Sequence, residues 1–393
     1  MPLLNIPSGY GFTRNPIVIT DGFPATAYDS RGGRFVVTLD GLEVYVGRFY
    51  PPTRIDISEI LDAYIAPFTE LKADEPGIYP MECIEDMMNL SCRRVSIEME
   101  YDGHEGVMNL TAVYGGVSRQ NYRHYVNAGT DAFKARFLNP KGNFFLTTRT
   151  AGWRIVVKET ELYPFYFIAP NGWGDFELKD VVTGDVCSMG GQDGGVWTLD
   201  LNKVRQTFMS EYSTIPSIID VYVEGNFSCR IIIEQADNVR ERYRLKFRNS
   251  LGVFEIIDIT GMARLSPVYD SDDDTAFKRY DRVTGCFYSD RERLEMGKYM
   301  EIDTLVTSID RLSFLEDMIS SDEVYLVDVY SDPVKVIPSI ENMSYNFNLD
   351  EPVPITLKLE MDQYEINILP DISSTDVCHK PRVFSKQFSK QFK

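Results

Sequence analysis

Short runs of alternating apolar and polar residues, most of them closed by a glycine-containing turn, recur along this 393-residue chain and restrict it to a strand-based fold. The clearest is Arg94–Tyr101, where Val95, Ile97, Met99 and Tyr101 share one face. Asp102-Gly103 then turns the chain into a return strand, Val107–Tyr114. Phe35–Leu39 and Leu42–Val46 are joined by Asp40-Gly41 in the same way. Further strands are expected at Arg154–Lys158, Tyr163–Ala169, Val196–Leu201, Ile218–Glu224, Ser228–Glu234, Tyr243–Phe247 and Val253–Ile259. An aromatic content of 12%, with 23 Tyr and 23 Phe, agrees, because such side chains suit half-buried pleated surfaces.

One stretch occurs twice. Ile55-Asp-Ile-Ser-Glu-Ile60 is echoed by Leu199-Asp-Leu-Asn-Lys-Val204: the end of a strand, then Ser58 or Asn202 placed to cap a short helix. A second echo links Phe137-Leu-Asn139-Pro-Lys-Gly142-Asn-Phe144-Phe145 to Phe247-Arg-Asn249-Ser-Leu-Gly252-Val-Phe254-Glu255. The expected fold class is therefore mainly β, with tandem β-sandwich or barrel modules and a few short helices. The expected order is an extended N-terminal arm (1–33), a first β module (34–152) and a related second module (153–265). A C-terminal β-rich domain with one helix (276–372) and a basic tail (373–393) follow. The arm holds one apolar run, Ile17–Ile19, able to pair with a neighbouring subunit or with its own domain. The C-terminal helix is expected over Thr307–Ile319, with Ile309, Leu312, Leu315, Met318 and Ile319 on one face.

The chemistry-bearing residues exclude more than they assign. A formal charge of −19 argues against a nucleic-acid partner, which needs clustered Lys and Arg. No run of roughly 18 apolar residues is present, so no membrane span is expected. The start, Met1–Gly9, lacks the basic and apolar regions of a secretory signal. Cys83, Cys92, Cys187, Cys229, Cys286 and Cys378 form no C-x-x-C pair and read as separate reduced thiols of a protein made in a cytoplasm. His104, His124 and His379 are too dispersed for a metal site, and no metal or other cofactor is expected. The loop Gly190–Gly195 lacks the Gly-Lys-Ser/Thr ending of a phosphate loop and is read as a hairpin loop. Asp270-Ser-Asp-Asp-Asp274 has the spacing that starts a calcium loop. Thr275 replaces the glycine at the sixth position and Asp281 the glutamate at the twelfth, so it reads as a solvated linker.

No catalytic signature occurs, and the chain is read as a non-enzyme. Trp153, Trp173 and Trp197 are candidate interaction residues, as a sugar-stacking platform if exposed and as core if not. The tail ends Ser385-Lys-Gln-Phe388-Ser-Lys-Gln-Phe392-Lys, where Lys386, Phe388, Lys390 and Phe392 form a candidate docking peptide for an acidic surface.

Several segments resemble a known family. Phe49-Tyr50-Pro51 leading into Ile55–Leu61, Val113–Ser118, Tyr243–Gly252 and Phe314–Leu326 are similar to distal-tail or baseplate proteins of tailed phages and prophages of Bacteroides-type bacteria. The resemblance covers roughly residues 35 to 365. It implies a β-sandwich ring subunit at the tail tip, without catalytic residues, that joins the tail tube to host-contacting parts. The implied partners are further copies of itself and other virion proteins: tail tube, baseplate or fibre components. The implied location is the virion tail, assembled in the host bacterial cytoplasm. Two alternatives stand beside it, a head–tail connector or collar ring protein and a glycan- or protein-binding adhesion module.

Overall fold

The computed structural model describes residues 3–4, 9–21, 32–68, 80–83, 91–119, 122–123, 126, 144–151, 154–169, 172–239, 241–269, 276–291, 296–327, 333–340 and 352–361. It is mainly β, as the alternation requires. The chain divides into two units. The first comprises Met1–Asn238, Lys246–Asp258 and Thr307–Asp322; the second comprises Val239–Leu245, Ile259–Val306 and Glu323–Lys393.

In the first unit a five-stranded sheet runs in the order Tyr10–Phe12, His104–Val113, Cys92–Tyr101, Gly33–Leu39, Leu42–Phe49. Val95, Ile97, Met99 and Tyr101 are buried, while Arg94, Glu98 and Glu100 between them are exposed. At the tip of that hairpin Asp102 and Gly103 both take positive φ (47° and 74°), the turn whose twist matches the strands. The buried face meets helix α1, Ser58–Tyr64, through Ile57, Leu61 and Ile65 to form the first core. The N-terminal arm belongs to this unit. Leu3–Leu4, Val18–Thr20 and Arg54–Asp56 make a small sheet, and Phe12, Ile17 and Ile19 are buried in the first core. Three such side chains left on a free arm would cost several kcal/mol (about 1.5–3 each), which is why the arm pairs at home.

A second core lies between a six-stranded sheet and helix α2, Leu201–Tyr212. The sheet order is Thr150–Ala151, Arg154–Lys158, Asn226–Glu234, Ile218–Val223, Phe176–Asp180, Val186–Met189. The two expected modules are not independent sandwiches. Phe144–Phe145, Phe165–Ala169, Gly195–Leu199 and Met81–Cys83 form a four-stranded sheet drawn from both. All residues of Phe165–Ala169 and Gly195–Leu199 are buried. Tyr166, Ile168 and Val196 point into the first core; Phe165, Phe167, Ala169, Trp197 and Leu199 point into the second. A sheet covered on both faces loses its polar alternation, and Phe-Tyr-Phe-Ile-Ala is that continuous apolar run. Helix α3, Ile309–Ile319, also lies in the first unit, whereas it was expected to cover the C-terminal domain. Ser308 caps it by accepting from Arg311 N at 3.2 Å.

In the second unit, strands close a barrel in the order Arg242–Arg248, Phe254–Tyr269, Met296–Val306, Val353–Met361, Val334–Ile340, Val324–Val327. Phe254–Tyr269 is continuous for 16 residues and runs past the boundary expected at 265. Its first residues belong to the first unit and its remainder to the second. A separate two-stranded hairpin, Ala276–Asp281 with Cys286–Arg291, completes this unit's described strands.

The repeated motif does mark two equivalent strand-to-helix corners, but the capping residue differs from expectation. Asp200 Oδ1 accepts from Asn202 N (2.9 Å) and Lys203 N (3.3 Å), and Asp56 Oδ1 accepts from Ser58 N (3.0 Å) and Ile17 N (3.0 Å). Asp200, two positions before Asn202, is the N-cap of α2 in extended backbone and reaches two free N–H groups of the first turn; at α1 the N-cap is Ile57, and Asp56, two positions before Ser58, reaches only the first helical N–H. The first copy of the second echo up to Asn143, most of a helical pattern expected over 118–137, a strand expected at Tyr345–Leu349 and the whole 373–393 tail lie outside the described residues.

Candidate interaction surfaces

The tryptophan platform is corrected by the structure at two of its three positions. Trp173 and Trp197 are 5% and 8% exposed, with ring centroids 4.9 Å apart at 72°. Phe167 and Phe176 pack on Trp173 at 5.4 and 6.0 Å, so the ring faces are occupied by neighbours. Trp197 is held inside by a strand buried on both faces. Trp173 is held by backbone bonds exchanged with Gln192 at 3.1 and 3.0 Å. The chain comes so close there that a methyl group on Gly172 (φ +67°) would stand 2.2 Å from the Gln192 carbonyl. The Gly190–Gly195 segment therefore crosses from the six-stranded to the four-stranded sheet instead of closing a hairpin. Trp153, Lys386, Phe388, Lys390 and Phe392 lie outside the described residues.

The titratable groups that sequence reasoning missed form a buried network in the first unit. Glu161 is enclosed; its carboxylate accepts from Arg149 (2.6 Å), twice from Arg311 (2.5 and 2.9 Å) and from Asp258 N (2.8 Å). Burial alone pushes its pKa up, but the two guanidinium groups and the N–H outweigh that and hold it at about 2. Glu255 accepts from Thr147 (2.6 Å) and Asn249 (2.6 Å) and lies 3.5 Å from Arg149. For Glu255 burial wins and the pKa is raised despite Arg149. Asp317 on α3 accepts from Thr148 Oγ1 (2.7 Å), from Ser250 N (3.2 Å) and from the Ser250 hydroxyl, and burial raises it too. Arg149 also stacks 4.0 Å from the centroid of Phe314. Glu161, Glu255 and Arg149 are buried and Arg311 and Asp317 half-buried, and together they fasten α3 to the Asn249 turn and the Thr147–Arg149 segment. Nothing in the local sequence announces them, because the partners are 97 to 169 positions apart along several contacts.

Three features face outward. The strand Leu42–Phe49 ends the five-stranded sheet, pairs with no further described strand, and exposes Leu42, Tyr45 and Val46. Its ladder with Gly33–Leu39 skips Val44, since Tyr45 faces Val37 and Glu43 faces Thr38. The second feature is a polar cleft of about 480 Å³ lined by Thr13–Pro16 and by Ser58, Glu59, Asp62 and Ala63. Arg14 there approaches Asp62 (4.0 Å) and Asp322 (3.5 Å), and Thr13 donates to Asp62 (2.6 Å).

The third feature is the hairpin of the second unit, where every residue from Phe277 to Ser289 except Asp281 is exposed. Tyr280 and Phe287 face each other across it at 5.0 Å. Its tip is stapled by Asp281, whose carboxylate accepts from Val283 N (2.9 Å) and Thr284 Oγ1 (2.8 Å) while Gly285 N donates to its carbonyl. These same bonds hold the Asp281 carboxyl below its ordinary value, so the last residue of the calcium-like spacing serves a turn. Asp180-Val-Val-Thr-Gly184 builds the same turn, a repeat legible in the sequence as Asp-x-Val-Thr-Gly. His104 is exposed beside its turn, and among the described residues no group of three His, Cys, Asp or Glu is placed to hold a metal.

Fold and surface together define a mainly β protein of two units whose buried charges brace the interior. No protein-family model matches the sequence, and no curated protein matches it. No helix among the described residues is long and apolar enough to cross a membrane.

Proposed function

We propose that this chain is a non-enzymatic structural subunit of a phage virion, forming a ring at the tail tip or baseplate between the tail tube and host-contacting parts. The observation that carries the reading is the Leu42–Phe49 edge. Natural monomers shorten, charge or cover such edges, because unpaired N–H and C=O groups recruit another strand. This edge is eight residues long and keeps Leu42 68% and Val46 44% exposed, with one bulge and few charges to blunt it. A second copy pairing a different segment with that edge makes a heterologous contact, and a heterologous contact whose rotation closes makes a ring. Trp173 and Trp197 face inward and offer no stacking surface to a glycan.

Light scattering across a concentration series, with electron micrographs of the same samples, tests the reading. A closed cyclic oligomer that weakens in Val46→Lys supports it. A monomer at every concentration, in which Val46→Lys changes nothing, overturns it.

A further inference from the structure

We propose that the tip of the Ala276–Arg291 hairpin is a plug that inserts into the Arg14–Asp62 cleft of a second copy of this chain. This rests on the ring reading above and assigns one of its interfaces. An isolated two-stranded hairpin is at best marginally stable in water, and one with both faces exposed has no core of its own to lean on. Here Phe277, Tyr280, Phe287 and Tyr288 are 43 to 69% exposed and Val283, at the apex, 94%. Apolar surface concentrated on a projecting element marks a contact site.

Charge selects the occupant. The hairpin carries Lys278, Arg279, Arg282 and Arg291 against Asp281 and Asp290, a net +2. With the whole chain at −19, the remaining residues carry −21, so the hairpin is opposite in sign to the body of a second copy. Within the acidic body the cleft adds shape. Glu59 and Asp62 line a concavity of about 480 Å³, with Arg14 held between Asp62 and nearby Asp322. The tip presents Arg282 beside the bare Val283 on a turn already held by Asp281, so little conformational freedom is lost on docking. Arg282 then pairs with Glu59, which is exposed, and Val283 fills the space between Pro16 and Ala63.

The test is a charge swap read by light scattering at low and high salt. Arg282→Glu and Glu59→Arg, each alone, should raise the midpoint concentration of association about tenfold or more, and Val283→Asp should act likewise. The double variant Arg282→Glu with Glu59→Arg should return the midpoint to the wild-type value. All three positions are solvent-exposed, and an unchanged circular dichroism melt confirms that each variant is folded. If the wild type assembles and the tip variants assemble equally well, the plug is wrong and the ring reading stands. If single variants weaken assembly but the double does not restore it, the tip meets a surface other than this cleft, and the proposal falls. A wild type that never assembles removes both.

Discussion

Glu161→Gln is the sharpest probe of what holds the first unit together. The substitution keeps shape and removes one charge from between two arginines. Gln can present one oxygen, but its amide then points an N–H at a guanidinium that previously met a carboxylate. Arg149 falls back on Glu255 at 3.5 Å and on the Ile256 carbonyl, and Arg311 on the Asp258 carbonyl at 2.7 Å. The magnitude follows from linkage. A carboxyl held at about 2 in the folded chain against 4.5 when unperturbed contributes about 3 kcal/mol at pH 7. Breaking a buried ion pair from one side costs about 3–5 kcal/mol, which agrees.

Because the folded pKa is depressed, this stability is complete above pH 4.5 and is lost as the pH falls toward 2. At pH 3 it should have shrunk to about 1 kcal/mol. Urea unfolding followed by tryptophan fluorescence reads it, since Trp173 and Trp197 lie in the second core of the same unit. With a slope of roughly 3 kcal/mol/M the midpoint should drop by about 1 M at pH 7. A loss under about 1 kcal/mol at pH 7, or a gap between variant and wild type that does not narrow at pH 3, would refute the reasoning.

The remaining predictions concern the same scaffold. Asp317→Asn should cost less than about 1.5 kcal/mol at pH 7. Its raised pKa gives stability that is present at low pH and lost as pH rises through the folded value, and the amide should abolish that loss in a pH series of melts. Asn249→Ala should cost about 3 kcal/mol or more by urea titration. Its amide accepts from Leu251 N and Val253 N and donates to the Leu146 carbonyl and Glu255, all in the interior. Asp200→Ala should lower stability by about 1 kcal/mol, the usual worth of a helix cap, with Asp200→Asn nearly neutral. In timed alkylation read by peptide mass, exposed Cys83 and Cys286 should react well before Cys92, which burial pushes up to about 12, and Cys229, which burial raises further.

Local pattern accounts for much of the fold. Period-two alternation placed Arg94–Tyr101 and its buried face, because the side chains of a strand leave it on alternate sides whatever the rest of the chain does. The Asp-Gly turns and the apolar face of α3 follow from equally local rules. The Asp200 cap and the Asp-x-Val-Thr-Gly turn obey the same local rules, since each is made within a few residues of chain.

What tertiary structure alone decided is which surfaces are shared. The uninterrupted apolar run Phe165–Ala169 fits one deep core as well as a wall between two, and only packing on both faces made it the wall that joins the expected modules. The same holds for Trp173 and Trp197, whose burial depends on that wall. Glu161 and Arg311 are 150 positions apart along the chain, so their pairing is a property of the closed fold. Alternation and turn chemistry act over a few residues and are written in the sequence. Burial and charge pairing depend on which distant segments meet, and that is settled only when the chain has folded.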